Sequence, residues 1–121
     1  MFQKPSDEEV RVGRASLVLT EPHAIRFGAL RPGRSAHMRL GLIARQRAAS
    51  IDVYRITTSC PCVIVEPKSI RIDGKTGAEV SVKFDPATEP DFRGPLAVEL
   101  KGFDRQGVEL FSTQVFVSIA D

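Results

Sequence analysis

Cys60 and Cys62 are the two cysteines of this 121-residue chain, and they stand one residue apart in Ser59-Cys60-Pro61-Cys62. Thiols at this spacing suit two kinds of chemistry, holding a soft ion or exchanging electrons as a dithiol–disulfide pair. In extended backbone, residues two apart point to the same face, and Pro61 biases Cys60 towards extended geometry. The two Cα atoms would then lie roughly 6.6 Å apart with near-parallel side chains. Two thiolates so arranged suit Cu(I), which accepts sulfur ligands at low coordination number. A disulfide wants Cβ atoms about 3.8 Å apart, so a Cys60–Cys62 bond calls for a tight local turn and would be easily reduced. A third reading makes both residues small packing groups, since free cysteine is among the most buried residue types. The sequence ranks buried packing thiols first, a metal or redox pair second, and a structural disulfide last.

Other chemistry finds less support. Zinc wants four ligands, and beyond the cysteines the chain offers only His23, His37 and scattered carboxylates, none at ligand spacing. Met1 lies in the polar start, and Met38 falls on an apolar strand face, where methionine fills core. A cysteine hydrolase needs a base oriented beside its thiol, and nothing local links either histidine to Cys60. Asp73, Asp85 and Asp91 fall in turns, where aspartate serves turn geometry. Gly74-Lys-Thr-Gly77 resembles a fragment of a phosphate loop, but it joins two strand runs and opens no helix. These residues point away from an enzyme.

Charge is unevenly placed. Arginines at 26, 31, 34, 39, 45 and 47 occupy the stretch from Pro22 to Ile51 with no acid among them, so a chain of net +2 carries −4 elsewhere. Arg31, Arg34, Arg45 and Arg47 are the candidates for selecting an acidic protein partner. The plainer reading is a set of solvated arginines on two strands and a turn. Nucleic acid is not an expected partner, because no aromatic side chains are interleaved with them as single strands would require.

The elements that must position these residues read as strands. A chain of this length suits one domain with one core. Its 42% hydrophobic and 26% charged composition is ordinary for a globular protein. Apolar residues alternate with a period of two throughout, as at Met38/Leu40/Leu42, Val80/Val82/Phe84, Leu96/Val98/Leu100 and Phe111/Thr113/Val115/Val117/Ile119. Leu17 and Leu19 pair in the same way before Pro22. Arg31-Pro32-Gly33-Arg34 suits a type II turn, with proline fixing φ and glycine accepting φ > 0. Residues 38–49 have helix-favouring composition, but they lack a cap and read as a strand followed by a loop. Turn signals about every ten residues then predict a single antiparallel immunoglobulin-like β-sandwich of about seven strands over residues 14–121. Residues 1–13 are expected to form a loose lead-in.

Set in order, these pieces resemble a known family. Ile25-Arg-Phe-Gly28, the Pro-Gly turn, Thr58-Ser-Cys-Pro-Cys62, Pro67-x-x-Ile70, Gly74-x-x-Gly77 and Val80-x-Val-x-Phe-Asp85 are similar to the bacterial domain of unknown function 1573. That family is akin to the ASH and major-sperm-protein type domains. Pro61 and Val63 depart from its pattern, standing where glycine and threonine are usual. The resemblance spans roughly residues 16–120 and implies an immunoglobulin-like sandwich of the cell envelope, without a mechanism. The expected function is a non-catalytic structural or protein-interaction module that uses strand edges or end loops. The alternative is a copper(I)- or thiol-handling domain built on Cys60-Pro61-Cys62. No run approaches the roughly 18 apolar residues that span a bilayer, and no secretory h-region opens the chain. The expected location is therefore the envelope or periplasm if a leader was removed, and the cytoplasm if Met1 is the native start. The sequence names neither the partner nor an oligomeric state.

Overall fold

The computed structural model describes residues 17–46 and 49–121. Ten strands form: β1 (Val18–Glu21), β2 (Ile25–Leu30), β3 (Ala36–Ala44), β4 (Ile51–Val53), β5 (Arg55–Thr58), β6 (Val63–Glu66), β7 (Ile70–Ile72), β8 (Ala78–Phe84), β9 (Gly94–Phe103) and β10 (Glu109–Ile119). One sheet runs β1-β3-β8-β6 and the other β2-β10-β9-β5, while β4 and β7 make a separate two-stranded ribbon. The count exceeds the expected number of about seven in part because Tyr54 divides β4 from β5, sending one extended run into two sheets.

The two sheets bury one core between them. Leu40, Leu42, Val80, Val82 and Phe84 project from the first sheet, and Ile25, Val98, Leu100, Val115 and Val117 from the second. These are the apolar members of the period-two runs, and among the described residues their polar neighbours face outward except Thr113, which is buried. Fully burying one such side chain stabilises by about 1.5–3 kcal/mol, so the core carries the fold. Residues 38–46 follow the strand-then-loop expectation, with β3 ending at Ala44 and a bend at Arg45 and Gln46.

Two details differ from the sequence reading. The sandwich is not wholly antiparallel, because β2 runs parallel to β10, with a register shift between Phe116 and Val117. Strand β1 is also placed one residue out of the expected phase. Val18 enters the core at 2% exposure, whereas Leu17 and Leu19 face solvent at 43% and 41%. Period-two alternation fixes which residues share a face without saying which face is buried. The short run at β1 holds apolar residues on both.

Turns follow their sequence signals. The Arg34 N–H donates to the Arg31 carbonyl at 3.1 Å, with Gly33 at φ 82°. Asp73 closes the β7–β8 turn by accepting from the N–H groups of Lys75 and Thr76 at 2.8 and 3.1 Å. Those two bonds favour the carboxylate and hold the Asp73 pKa below the usual aspartate value. The expected lead-in of residues 1–13 lies outside the described residues.

Candidate functional site

Register places the functional candidates at the two ends of the sandwich. Ala36 of β3 lies opposite Phe84 of β8, which lies opposite Val63 of β6. The Arg31–Arg34 turn, the Cys60–Cys62 turn and the Asp85–Thr88 loop therefore share one end. Arg45 follows β3 at the other end, where its N–H donates to the Leu17 carbonyl at 2.9 Å. The nine residues of β3 separate these ends by about 27 Å. Arg31 and Arg34 are thus not brought together with Arg45, and Arg47 lies outside the described residues.

Cys60 and Cys62 are joined by a disulfide, against the ranking that placed this option last. The physical reason is local. The backbone at Pro61 is not extended but turns, with the Val63 N–H donating to the Cys60 carbonyl at 3.1 Å. Proline at the second position favours such a turn, and the turn draws the two Cα atoms to 5.1 Å, shorter than the extended spacing. The burial expected of the pair holds for Cys62, which is fully buried, while Cys60 is half-buried against the core.

The turn is heavily braced. The Thr58 hydroxyl lies 2.9 Å from the Cys60 carbonyl and 3.1 Å from the Val63 carbonyl, sharing its proton between them. The Asp85 N–H donates to the Cys62 carbonyl at 2.8 Å. Ser59 and Glu99 exchange two bonds, from the Ser59 N–H to the Glu99 carbonyl at 2.9 Å and from the Glu99 N–H to Ser59 Oγ at 2.8 Å. The Cys62 N–H points at Cys60 Sγ at 3.1 Å. Among the described residues, no three His, Cys, Asp or Glu side chains gather as a metal site.

A second candidate is a feature that the sequence reading missed. Strand β1 ends its sheet; Leu19 of β1 and Leu17 just before it are exposed, and Leu19 pairs with Ile43 of β3. Ile43 is 41% exposed and sits directly opposite Leu19. Because Leu17 bonds back to Arg45, alternation along the antiparallel ladder turns the backbone groups of Val18 and Thr20 away from β3. Among the described residues no strand lies beyond them. The result is an outward-facing hydrogen-bonding edge flanked by an aliphatic patch. The signal for it lay in the unbroken apolar run Leu17-Val18-Leu19, which has more apolar residues than one face can bury.

The opposite side of the sandwich, where β5 and β6 end their sheets, is partly closed. The Ile56 N–H donates to the Lys68 carbonyl at 3.0 Å, and the Thr58 hydroxyl bridges to β6. An open depression of about 630 Å³ lies against the second sheet, and the residues around it include Arg26, Pro95, Ala97, Phe116 and Ser118. There the Arg26 guanidinium covers the Phe116 ring at 4.6 Å.

No family model and no curated protein sequence matches this chain. Solved structures do resemble it. An ASH/PapD-like domain of human CEP192 superimposes with a TM-score of 0.63 at 14% identity, covering 99% of this chain and 91% of that one. The C. elegans MSP family member WR4 gives 0.59 at 10% identity, covering 87% and 99%. The periplasmic chaperone SfaE gives 0.54 at 11% identity, covering 84% of this chain and 55% of the chaperone. At these identities the likeness is one of fold, and the fold is the immunoglobulin-like sandwich of the MSP and PapD-like domains.

Proposed function

We propose that this chain is a non-catalytic immunoglobulin-like module that binds a protein partner by adding an extended segment of that partner to β1. The observation that carries the reading is the Leu17/Leu19/Ile43 patch beside the outward backbone groups of Val18 and Thr20. Proteins ordinarily blunt a sheet edge with charge, proline or a covering element. Here Leu17, Val18 and Leu19 are aliphatic, and charge and proline come only at the end of the strand, at Glu21 and Pro22. An added strand would pair with the β1 backbone and lay alternate apolar side chains against the patch. Membership of the domain of unknown function 1573 family belongs to the same reading, on its ordered motifs. So does the bacterial envelope, where a disulfide such as Cys60–Cys62 persists.

The test is selection of binders from a displayed library of unstructured peptides, followed by hydrogen exchange on the complex. Peptides with apolar residues at every second position should be enriched and should slow exchange at Val18 and Thr20. Thr20→Pro removes an outward N–H while sparing the ladder to β3, so it should abolish binding and leave the fold intact. Binders that lack this alternation, or that bind the Thr20→Pro variant equally well, would exclude β1 as the site.

A further inference from the structure

The Cys60–Cys62 bond does little of the structural work usually asked of a disulfide. It closes a loop with a single intervening residue. The chain entropy that a disulfide removes from the unfolded state grows with the logarithm of loop length, so this loop lies at the low end. The turn is also held independently, through the Thr58 hydroxyl, the Val63 N–H and the Asp85 N–H.

The two sulfurs are unequal in a way that matters for reactivity. Cys62 has no exposure, whereas Cys60 is half-buried between the exposed Ser59 and Pro61. Thiol–disulfide exchange requires in-line approach to one sulfur, so access selects Cys60 Sγ. The Cys62 N–H at 3.1 Å from that same sulfur is placed to stabilise negative charge on it. The sulfur of the more exposed residue is therefore also the one whose thiolate is favoured.

We propose that Cys60–Cys62 is a thiol–disulfide exchange site for an external dithiol, with Cys60 as the sulfur attacked. The dithiol's thiolate attacks Cys60 Sγ and forms a mixed disulfide. The Cys60–Cys62 bond breaks, and its electron pair goes to Cys62 Sγ, which takes up the proton that the dithiol's first thiol gave up. The dithiol's second thiol loses its proton and attacks its own sulfur in the mixed disulfide. Cys60 leaves as a thiolate beside the Cys62 N–H and is then protonated. Two electrons and two protons pass from the dithiol, which ends as a disulfide, to the cysteine pair. Run backwards, the reduced pair donates two electrons to an external disulfide. This activity does not depend on the β1 edge.

The experiment treats the folded, oxidised full chain with dithiothreitol and then the reduced chain with oxidised glutathione, quenching with acid and alkylating for mass mapping. Reduction should proceed without denaturant, and the glutathione adduct trapped on the wild-type chain should map to Cys60. Cys62→Ser should accumulate that adduct, whereas Cys60→Ser should form one at Cys62 at least about tenfold more slowly. Circular dichroism of both variants establishes that each is folded, and the wild-type mapping stands whether or not they are. Resistance to reduction until the chain is unfolded would overturn the proposal. So would adducts formed equally at both positions.

Discussion

The Phe111 ring packs against Gly102, where a methyl group would overlap the ring. A Cβ built at Gly102 would stand 2.7 and 2.8 Å from Phe111 Cζ and Cδ2. The pair sits at the register shift between Glu109 and Phe111, where β10 folds an extra residue inward. Backbone lacking a side chain is what lets this ring reach the core at 2% exposure. Gly102→Ala should cost roughly 1–3 kcal/mol by overpacking, or more if β9 must move. Urea denaturation measures it, and a loss below about 0.5 kcal/mol would mean that the ring simply swings aside.

Thr113 is the one buried polar residue among those described, at 5% exposure, and its hydroxyl donates to the His23 carbonyl. That bond ties the middle of β10 to the crossover between β1 and β2. Thr113→Val keeps the shape and removes the buried bond, leaving the His23 carbonyl to the Thr20 hydroxyl at 3.2 Å, so it should cost about 0.5–1.5 kcal/mol. Hydrogen exchange should rise first around residues 22–25. Uniform acceleration would indicate global destabilisation in place of a released crossover.

The Cys60→Ser/Cys62→Ser double variant should remain folded and lose only about 1–2 kcal/mol, the chain-entropy scale for so short a loop. A loss of 4 kcal/mol or more, beyond about the largest ordinary mutational effects, would make the bond a structural brace. The oxidised wild type should take no Cu(I) from a competing chelator, since soft-metal binding needs thiolates. Any competition should emerge after reduction and vanish in the double variant.

Asp73 offers a pH test. Its folded pKa is lowered by the Lys75 and Thr76 N–H groups, so the unfolded chain binds the proton more tightly. The carboxylate's contribution is therefore complete above the ordinary aspartate pKa and is lost as pH falls through the depressed folded value. Wild type should exceed Asp73→Asn in stability at neutral pH, and the gap should close in that acid window. A gap independent of pH would assign the effect to geometry and not to charge.

Much of the fold was legible because it rests on short-range chemistry. Alternation at Val80/Val82/Phe84 and the glycine at 33 specify strand faces and turn conformation within a few residues. What was not legible depends on partners far along the chain. The parallel pairing of β2 with β10 joins residues some ninety positions apart, and no local pattern encodes its direction. The phase of Leu17-Val18-Leu19 was decided by what β3 presents to it, not by the run itself. The cysteines were misjudged for a smaller reason. Proline accommodates both an extended path and a turn, and bonds from Thr58 and Asp85 select the turn.

The parallel course of β2 and β10 also sets how this domain would carry a mechanical load. The described chain runs from Leu17 beside β3 to β10 at the far end, with the Ala120 N–H bonded to the Leu30 carbonyl. Tension on the two termini in opposite directions acts along the strand axes, across hydrogen bonds that lie transverse to the pull. The β2–β10 ladder would be sheared as one unit and not opened bond by bond. A tether strung through this domain would hold until that whole patch failed together.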